Sequence, residues 1–296
     1  MMMKFTEQNE TLEAARERNI RDALAEDIGT GDWTAQLVPA GRRVLARVIC
    51  REAAVLCGRE WFDGCLLALD PNARLAWQLD EGADITPGAT VVEIEADARA
   101  LLSAERCALN FLQLLSAVAT KTRAHARAIE GASPNPAGCV VLDTRKTLPG
   151  LRLAQKYAVR VGGGHNQRLA LWHGILIKEN HIAAAGGIAP ALDAAFATGS
   201  GVEVQVEVES LAQLAEALAA GAKSILLDNF TLPLMREAVA LTAGRALLEM
   251  SGGVALDQLR TIAETGVDRI SVGALTKDVK AVDFSMRVVG PAPAQG

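Results

Sequence analysis

From Cys139 onward the chain repeats one unit, a short apolar run followed by a polar loop and an amphipathic helical stretch. The runs Cys139 to Asp143, Gly174 to Lys178, Val202 to Glu207, Ser224 to Asp228, Ala246 to Met250 and Arg269 to Val272 have the near-continuous hydrophobicity of strands buried on both faces. Between them, Leu211 to Ala220, Leu232 to Leu241 and Leu256 to Thr265 carry helical periodicity and are closed by Gly221, Gly244 and Gly266. Strands joined through helices lie parallel, so the pattern predicts a parallel sheet covered by helices, and repeats of roughly 20 to 30 residues suit a barrel. An open doubly wound sheet is the alternative at this level.

The first part of the chain has a different texture. A helical pattern over Asn9 to Asp27 is stopped by the Gly29-Thr30-Gly31-Asp32 turn. Two β-branched runs follow, Val44 to Cys50 and Thr90 to Ile94, the second introduced by Pro87-Gly88. A long helical pattern then covers Leu101 to about Glu130. These signals predict an N-terminal α/β sandwich domain over residues 1–120 and a barrel domain over 121–280, with a tail, 281–296, that packs against the first domain.

With 296 residues, half of them hydrophobic, the chain has enough apolar material for a large core. A formal net charge of -5 and the lack of a basic face exclude broad nucleic-acid or membrane-surface binding, both of which depend on long-range attraction to cations. Five cysteines, odd in number and without CxxC spacing, indicate reduced thiols rather than a disulfide framework or a zinc site. Glu7, Glu10 and Glu13 stand where a leader peptide needs an apolar core. The apolar stretch Cys107 to Thr120 contains Asn110 and Gln113 and falls short of the ~20 residues of a membrane span. The expectation is a soluble cytoplasmic protein.

Chemistry gathers at the strand ends. Asp143-Thr144-Arg145-Lys146, Lys178, Glu207, Asp228, Ser251-Gly252-Gly253 and Val272-Gly273-Ala274 all lie at or just past a C-terminal strand end, where a parallel barrel builds its mouth. Arg145, Lys146, Arg168 and Lys178 are cations concentrated in a few loops of an acidic protein, which points to a small anionic substrate. The paired late glycine loops suit phosphate bound through backbone N–H groups. His165 and His181 fall in the same clusters, but no histidine spacing suggests a metal.

The stretches Glu26-Asp27-Ile28-Gly29-Thr30-Gly31-Asp32-Trp33-Thr34, Glu105-Arg106-Cys107-Ala108-Leu109-Asn110-Phe111, Asp143 to Gly150, Lys178-Glu179-Asn180-His181, Leu227-Asp228-Asn229-Phe230 and Ser271 to Leu275 resemble the quinolinate phosphoribosyltransferase family nearly end to end. The resemblance implies an N-terminal α/β sandwich domain followed by an incomplete parallel α/β barrel, the type II phosphoribosyltransferase-like fold. It also implies transfer of phosphoribosyl from phosphoribosyl pyrophosphate to quinolinate with decarboxylation, a step of NAD biosynthesis.

By the family pattern, Arg106, Arg145, Lys146 and Arg168 hold the pyridine dicarboxylate, Thr144 is a further substrate-binding residue, and Lys178 faces both substrates. Glu207 and Asp228 face the ribose and the Mg²⁺-bound pyrophosphate, while Ser251, Gly252, Gly253, Val272, Gly273 and Ala274 surround the 5-phosphate. Lys146, Lys178, Glu207 and Asp228 are the expected catalytic set, with Mg²⁺ brought by the substrate and no organic cofactor. The family's arginine at Arg106 reaches the neighbouring subunit's site, which implies a homodimer. One departure stands out: the family commonly has His before the Arg168 position, where this chain has Gln167, with His165 two residues earlier. Three rivals are a Schiff-base aldolase using Lys178 or Lys146, a non-enzymatic binder of phosphorylated metabolites, and a related branch associated with molybdate uptake. Retention of the Arg106, Arg145, Lys146, Arg168 and Lys178 set favours the quinolinate enzyme.

Overall fold

Thr11 begins the first helix by accepting a hydrogen bond from the Ala14 N–H at 3.1 Å, and Gly29, at φ 53°, ends it after Leu12–Ile28. The computed structural model describes residues 9–292. Most of the acidic N-terminal stretch read as lacking a leader therefore lies outside the described residues, as does the end of the tail, 293–296. In chain order the strands are β1 (Arg43–Cys50), β2 (Ala54–Val55), β3 (Arg74–Trp77), β4 (Asp84–Ile85), β5 (Thr90–Asp97), β6 (Val140–Leu142), β7 (Gly174–Ile177), β8 (Glu203–Val208), β9 (Ser224–Asp228), β10 (Leu247–Ser251), β11 (Arg269–Ser271) and β12 (Phe284–Pro291).

The chain divides into two compact units, one running to Thr120 together with Leu148–Gly162 and the chain from Val279, the other comprising Lys121–Thr147 and Gly163–Asp278. In the first, an antiparallel sheet runs in the order β12-β1-β5-β3. Burial alternates along β1, as expected of a strand with one face on the core. The same unit contains the helix Arg59–Leu69, whose Trp61 and Phe62 are fully buried. Phe62 packs edge-on against Trp77 at 5.5 Å, and Trp61 meets Tyr157 at 5.5 Å between ring centres. The helix Ala98–Ile129 starts on Asp97, whose Oδ1 accepts from the N–H groups of Arg99 and Ala100.

The stretch Leu148–Gly162 lies within the span assigned from sequence to the barrel, yet it groups with the first unit. Its anchors explain why: Asn19 Nδ2 donates to the Gly150 carbonyl at 3.1 Å, and Tyr157 Oη donates to Glu81 at 3.0 Å.

In the second unit six parallel strands run in the order β6-β11-β10-β9-β8-β7. Each strand expected here from the sequence is present, its ends shifted by one residue at most. The helix expected over Leu256 to Thr265 is split into a 3-10 turn, Leu256–Gln258, and the helix Leu259–Ala263. Between the edge strands β6 and β7 the ladder is missing, and the segment after Gly163 takes its place. His165 runs parallel to Leu142, its N–H bonded to the Val141 carbonyl at 2.9 Å and its carbonyl to the Asp143 N–H at 3.2 Å. On the other side Arg168 Nη1 reaches the Gly174 carbonyl of β7 at 2.9 Å. The result is an incomplete barrel whose seam is spanned by a loop.

Candidate active site

The chain leaving β6 is fixed at once by Asp143. Its carboxylate is fully buried and accepts from Asn166 Nδ2 at 2.6 Å and from the Gln167 N–H at 2.9 Å, tying the strand end to the seam. Thr144 Oγ1 then accepts from the Lys146 N–H at 3.1 Å, and the Lys146 carbonyl accepts from Thr276 Oγ1 at 2.9 Å. A Cβ placed on Gly273 would lie 3.1 Å from Lys146 Cδ and 3.5 Å from Thr144 Oγ1, so the lysine stem rests on bare backbone. Thr144, Lys146, Gly273 and, at the start of its short helix, Ala274 are thus brought together; Val272 is buried beneath them.

Arg145 and Arg168 form a second cluster. The Nε of each is buried without a hydrogen-bond partner in the protein. Burial lowers the Arg168 pKa, and the positive charge of Arg145 lowers it further. Two neighbouring guanidinium groups, each with an orphaned donor, form an arrangement that a planar dianion would neutralise and satisfy.

On the adjacent strands, Lys178 follows β7 and Glu207 lies in the last turn of β8. Lys178 Nζ donates to Glu207 Oε2 at 2.7 Å, with the carboxylate largely covered and the lysine half exposed. Asp228 ends β9 and accepts from Asn229 Nδ2 at 2.8 Å. It does not cap the next helix, whose N-cap is Thr231. Asn229 takes φ 55°, and Gly252 opposite takes φ 115°. Any side chain at Gly252 would collide with Asn229 Oδ1. Beside this turn lies a cavity of about 320 Å³ lined by Asn229, Phe230, Gly252, Gly253 and Gln258. Ser251, at the end of β10, holds the turn by accepting from the Asn229 N–H at 3.1 Å.

The histidines are placed by their neighbours. His181 Nδ1 accepts from the Lys178 N–H at 3.0 Å, whereas His165 contributes its backbone to the seam and its side chain is exposed. Gln167 is engaged through both backbone and amide. Its Nε2 donates to Gln205 Oε1 at 3.1 Å, Gln205 Nε2 donates to Glu249 Oε2 at 2.8 Å, and Ser271 Oγ donates to Glu249 Oε1. Gln205 and Glu249 were missed in the sequence reading, and Ser271 was noted there only as the start of a family-like stretch. The available signal was two polar residues, Gln205 and Glu249, inside otherwise apolar strands. Burial raises the Glu249 pKa, opposed by the bonds from Ser271 and Gln205.

Arg106 belongs to the first unit, exposed on Ala98–Ile129. It lines a cavity of about 420 Å³ with Glu26, Asp27, Asn110, Pro149 and Gly150. Parts of three of the sequence stretches with a family resemblance therefore converge within the first unit.

The family model for the quinolinate phosphoribosyl transferase C-terminal domain matches residues 118–287, and that for the N-terminal domain matches residues 32–116. The chain belongs to the quinolinate phosphoribosyltransferase family. It is 43% identical to the nicotinate-nucleotide pyrophosphorylase [carboxylating] of Mycobacterium leprae, over 93% of this chain and 97% of that one. It is 40% identical to a probable nicotinate-nucleotide pyrophosphorylase [carboxylating] of Bacillus subtilis, over 89% and 90% of the two chains. Among solved structures, the nicotinate-nucleotide pyrophosphorylase of Francisella tularensis superposes with a TM-score of 0.89 at 42% identity, covering 96% of this chain and all of that one. As a quinolinate phosphoribosyltransferase family member, the chain shows both the sandwich and the incomplete barrel expected from its sequence. No helix among the described residues is long and apolar enough to cross a membrane.

Proposed function

We propose that this protein transfers the phosphoribosyl group of phosphoribosyl pyrophosphate to the nitrogen of quinolinate and releases pyrophosphate and CO₂, giving nicotinate mononucleotide. The observation that carries this reading is the Arg145–Arg168 pair, whose buried, unpartnered Nε donors match a substrate with two adjacent carboxylates. Lys146, resting on Gly273, adds a third cation at the end of β6. Ser251, Gly252, Gly253, Val272, Gly273 and Ala274 supply the backbone of two late loops for the 5-phosphate.

In this reading the quinolinate nitrogen displaces pyrophosphate at the anomeric carbon through an oxocarbenium-like transition state. Glu207 and Asp228 place negative charge where the ribose becomes positive, and Lys178 fixes the Glu207 carboxylate through their 2.7 Å ion pair. Loss of CO₂ then leaves its bonding electron pair on the adjacent ring carbon, where the positive charge of the quaternised nitrogen stabilises the carbanion until a proton is added. Arg145 and Arg168 orient the ring throughout, so the protein needs no covalent intermediate. The same ion pair disfavours a Schiff-base aldolase, because it occupies the ammonium that such chemistry needs as a free amine.

Magnesium fits this donor set as a substrate-borne ion. Among the described residues no cluster of three or more His, Cys, Asp or Glu side chains is placed to hold a metal on its own. Mg²⁺ is commonly held by one or two carboxylates plus phosphate oxygens, and Glu207 and Asp228 would be those carboxylates here. When bound, it neutralises charge on the departing pyrophosphate. No organic cofactor enters the scheme.

The functional assembly is a homodimer in which Arg106 completes the partner's quinolinate site. Supporting this, Arg106 is exposed and lines a cavity of the first unit shared with Glu26, Asp27 and Gly150. The compartment is the cytoplasm, consistent with five cysteines that are all free thiols. The deciding assay incubates purified protein with quinolinate, phosphoribosyl pyrophosphate and Mg²⁺ and measures nicotinate mononucleotide and CO₂. Turnover with nicotinate but none with quinolinate would sink the assignment.

A further inference from the structure

The hydrogen bonds running from Gln167 through Gln205 to Glu249 form a chain in which every donor points the same way. Gln167 donates to Gln205 at 3.1 Å and Gln205 to Glu249 at 2.8 Å, while Ser271 closes the far end on the other carboxylate oxygen. Glu249 and Gln205 are 1% and 4% exposed, and they sit on β10 and β8, so the acceptor that ends the chain is locked in the barrel core. An amide side chain has two ends of opposite polarity, and a chain anchored on a carboxylate allows only one orientation of each amide. The near end is Gln167, whose N–H is also bound to the buried Asp143 at 2.9 Å. Its neighbour in sequence is Arg168, the member of the guanidinium pair that lies on the seam rather than at a strand end.

We propose that Gln205 and Glu249 are positioning residues for the dicarboxylate. Through Gln167 they fix the seam where Arg168 leaves it, and so set the Arg168 guanidinium against Arg145. The proposal rests on the reading of the site as a quinolinate site. It gives a reason for a glutamine at position 167: an uncharged group that donates to Gln205 keeps the barrel interior free of a second ionisable side chain.

The test compares Gln205→Leu, Glu249→Gln and Gln167→Leu, singly and with the Gln205→Leu and Gln167→Leu pair combined, by steady-state kinetics and thermal melts of the full chain. Gln205→Leu is expected to raise KM for quinolinate about tenfold while leaving KM for phosphoribosyl pyrophosphate unchanged. Glu249→Gln keeps an acceptor oxygen and is expected to hold KM within about threefold of wild type. Because Gln205 acts through Gln167, the double variant should be no worse than Gln167→Leu alone. Additive losses, or a Gln205→Leu loss that falls equally on both substrates, would overturn the proposal and leave only a structural role. If Gln205→Leu does not fold, the decision passes to Glu249→Gln and Gln167→Leu, where an unchanged quinolinate KM in Gln167→Leu overturns it. A wild-type protein that releases no CO₂ from quinolinate overturns the functional reading and this one together; an active wild type with unresponsive variants overturns this one alone.

Discussion

Replacing Arg145 with alanine separates recognition from folding. In the free protein Arg145 contributes an Nε with no partner and a charge that disfavours the charged form of Arg168. A guanidinium fork on a carboxylate makes two charge-assisted hydrogen bonds, each worth roughly 1.5–3 kcal/mol when a charged group takes part. Allowing for partial replacement by Lys146 and water, Arg145→Ala should cost about 3 kcal/mol of quinolinate binding, roughly a 150-fold weaker Kd. The fold loses no protein hydrogen bond at Arg145 Nε and sheds a like-charge neighbour, so its stability should stay within about 1 kcal/mol of wild type. Titration calorimetry with quinolinate and a thermal melt without ligand read the two quantities independently. A melting point lowered by more than about 5 °C with quinolinate affinity intact would refute the reasoning, because it would make Arg145 a structural residue.

Two further substitutions probe the other ends of the scheme. Gly252→Ala puts a Cβ on Asn229 Oδ1 at φ 115° and should cost about 1–3 kcal/mol of stability. It should also raise KM for phosphoribosyl pyrophosphate while sparing that for quinolinate, and an equal rise in both would detach the loop from the phosphate. Arg106→Ala and Lys178→Met, each inactive alone, should recover about a quarter of wild-type activity when their subunits are mixed and exchanged, since half the dimers then carry one intact site. Mixed subunits that form dimers yet remain inactive would place Arg106 in its own subunit's site or outside any site.

The barrel was legible because buried parallel strands leave an unambiguous trace. Ile175-Leu176-Ile177 and Ile225-Leu226-Leu227 can be little else once glycines and polar loops bound them. The strand ends followed, and with them Lys178, Glu207 and Asp228. Phe284–Pro291 escaped notice because it is an edge strand, buried at Phe284 and then mostly exposed, so it lacks a repeating apolar face. The placement of Arg152–Val161 depends on Trp61, Glu81 and Asn19, residues distant in sequence whose meeting no local pattern announces. Gln205 and Glu249 were visible as polar interruptions of apolar strands, but their partnership with Gln167 exists only once β8, β10 and the seam are folded together.

The seam has a mechanical meaning. Five of the barrel's junctions are strand ladders, whereas the sixth is spanned by a loop in which His165 bonds to the backbone of Val141 and Asp143, Asn166 and Gln167 donate to the Asp143 carboxylate, and Arg168 makes a side-chain bond to β7. A junction held by a loop instead of a ladder has fewer repeating backbone bonds, and local opening at such a place costs less than global unfolding. An anion gripped by Arg168 on the loop and Arg145 on the neighbouring strand end acts as a hoop across the joint. On the proposed function, quinolinate held by both arginines would therefore brace this joint, and substrate binding would stabilise the loop along with the complex.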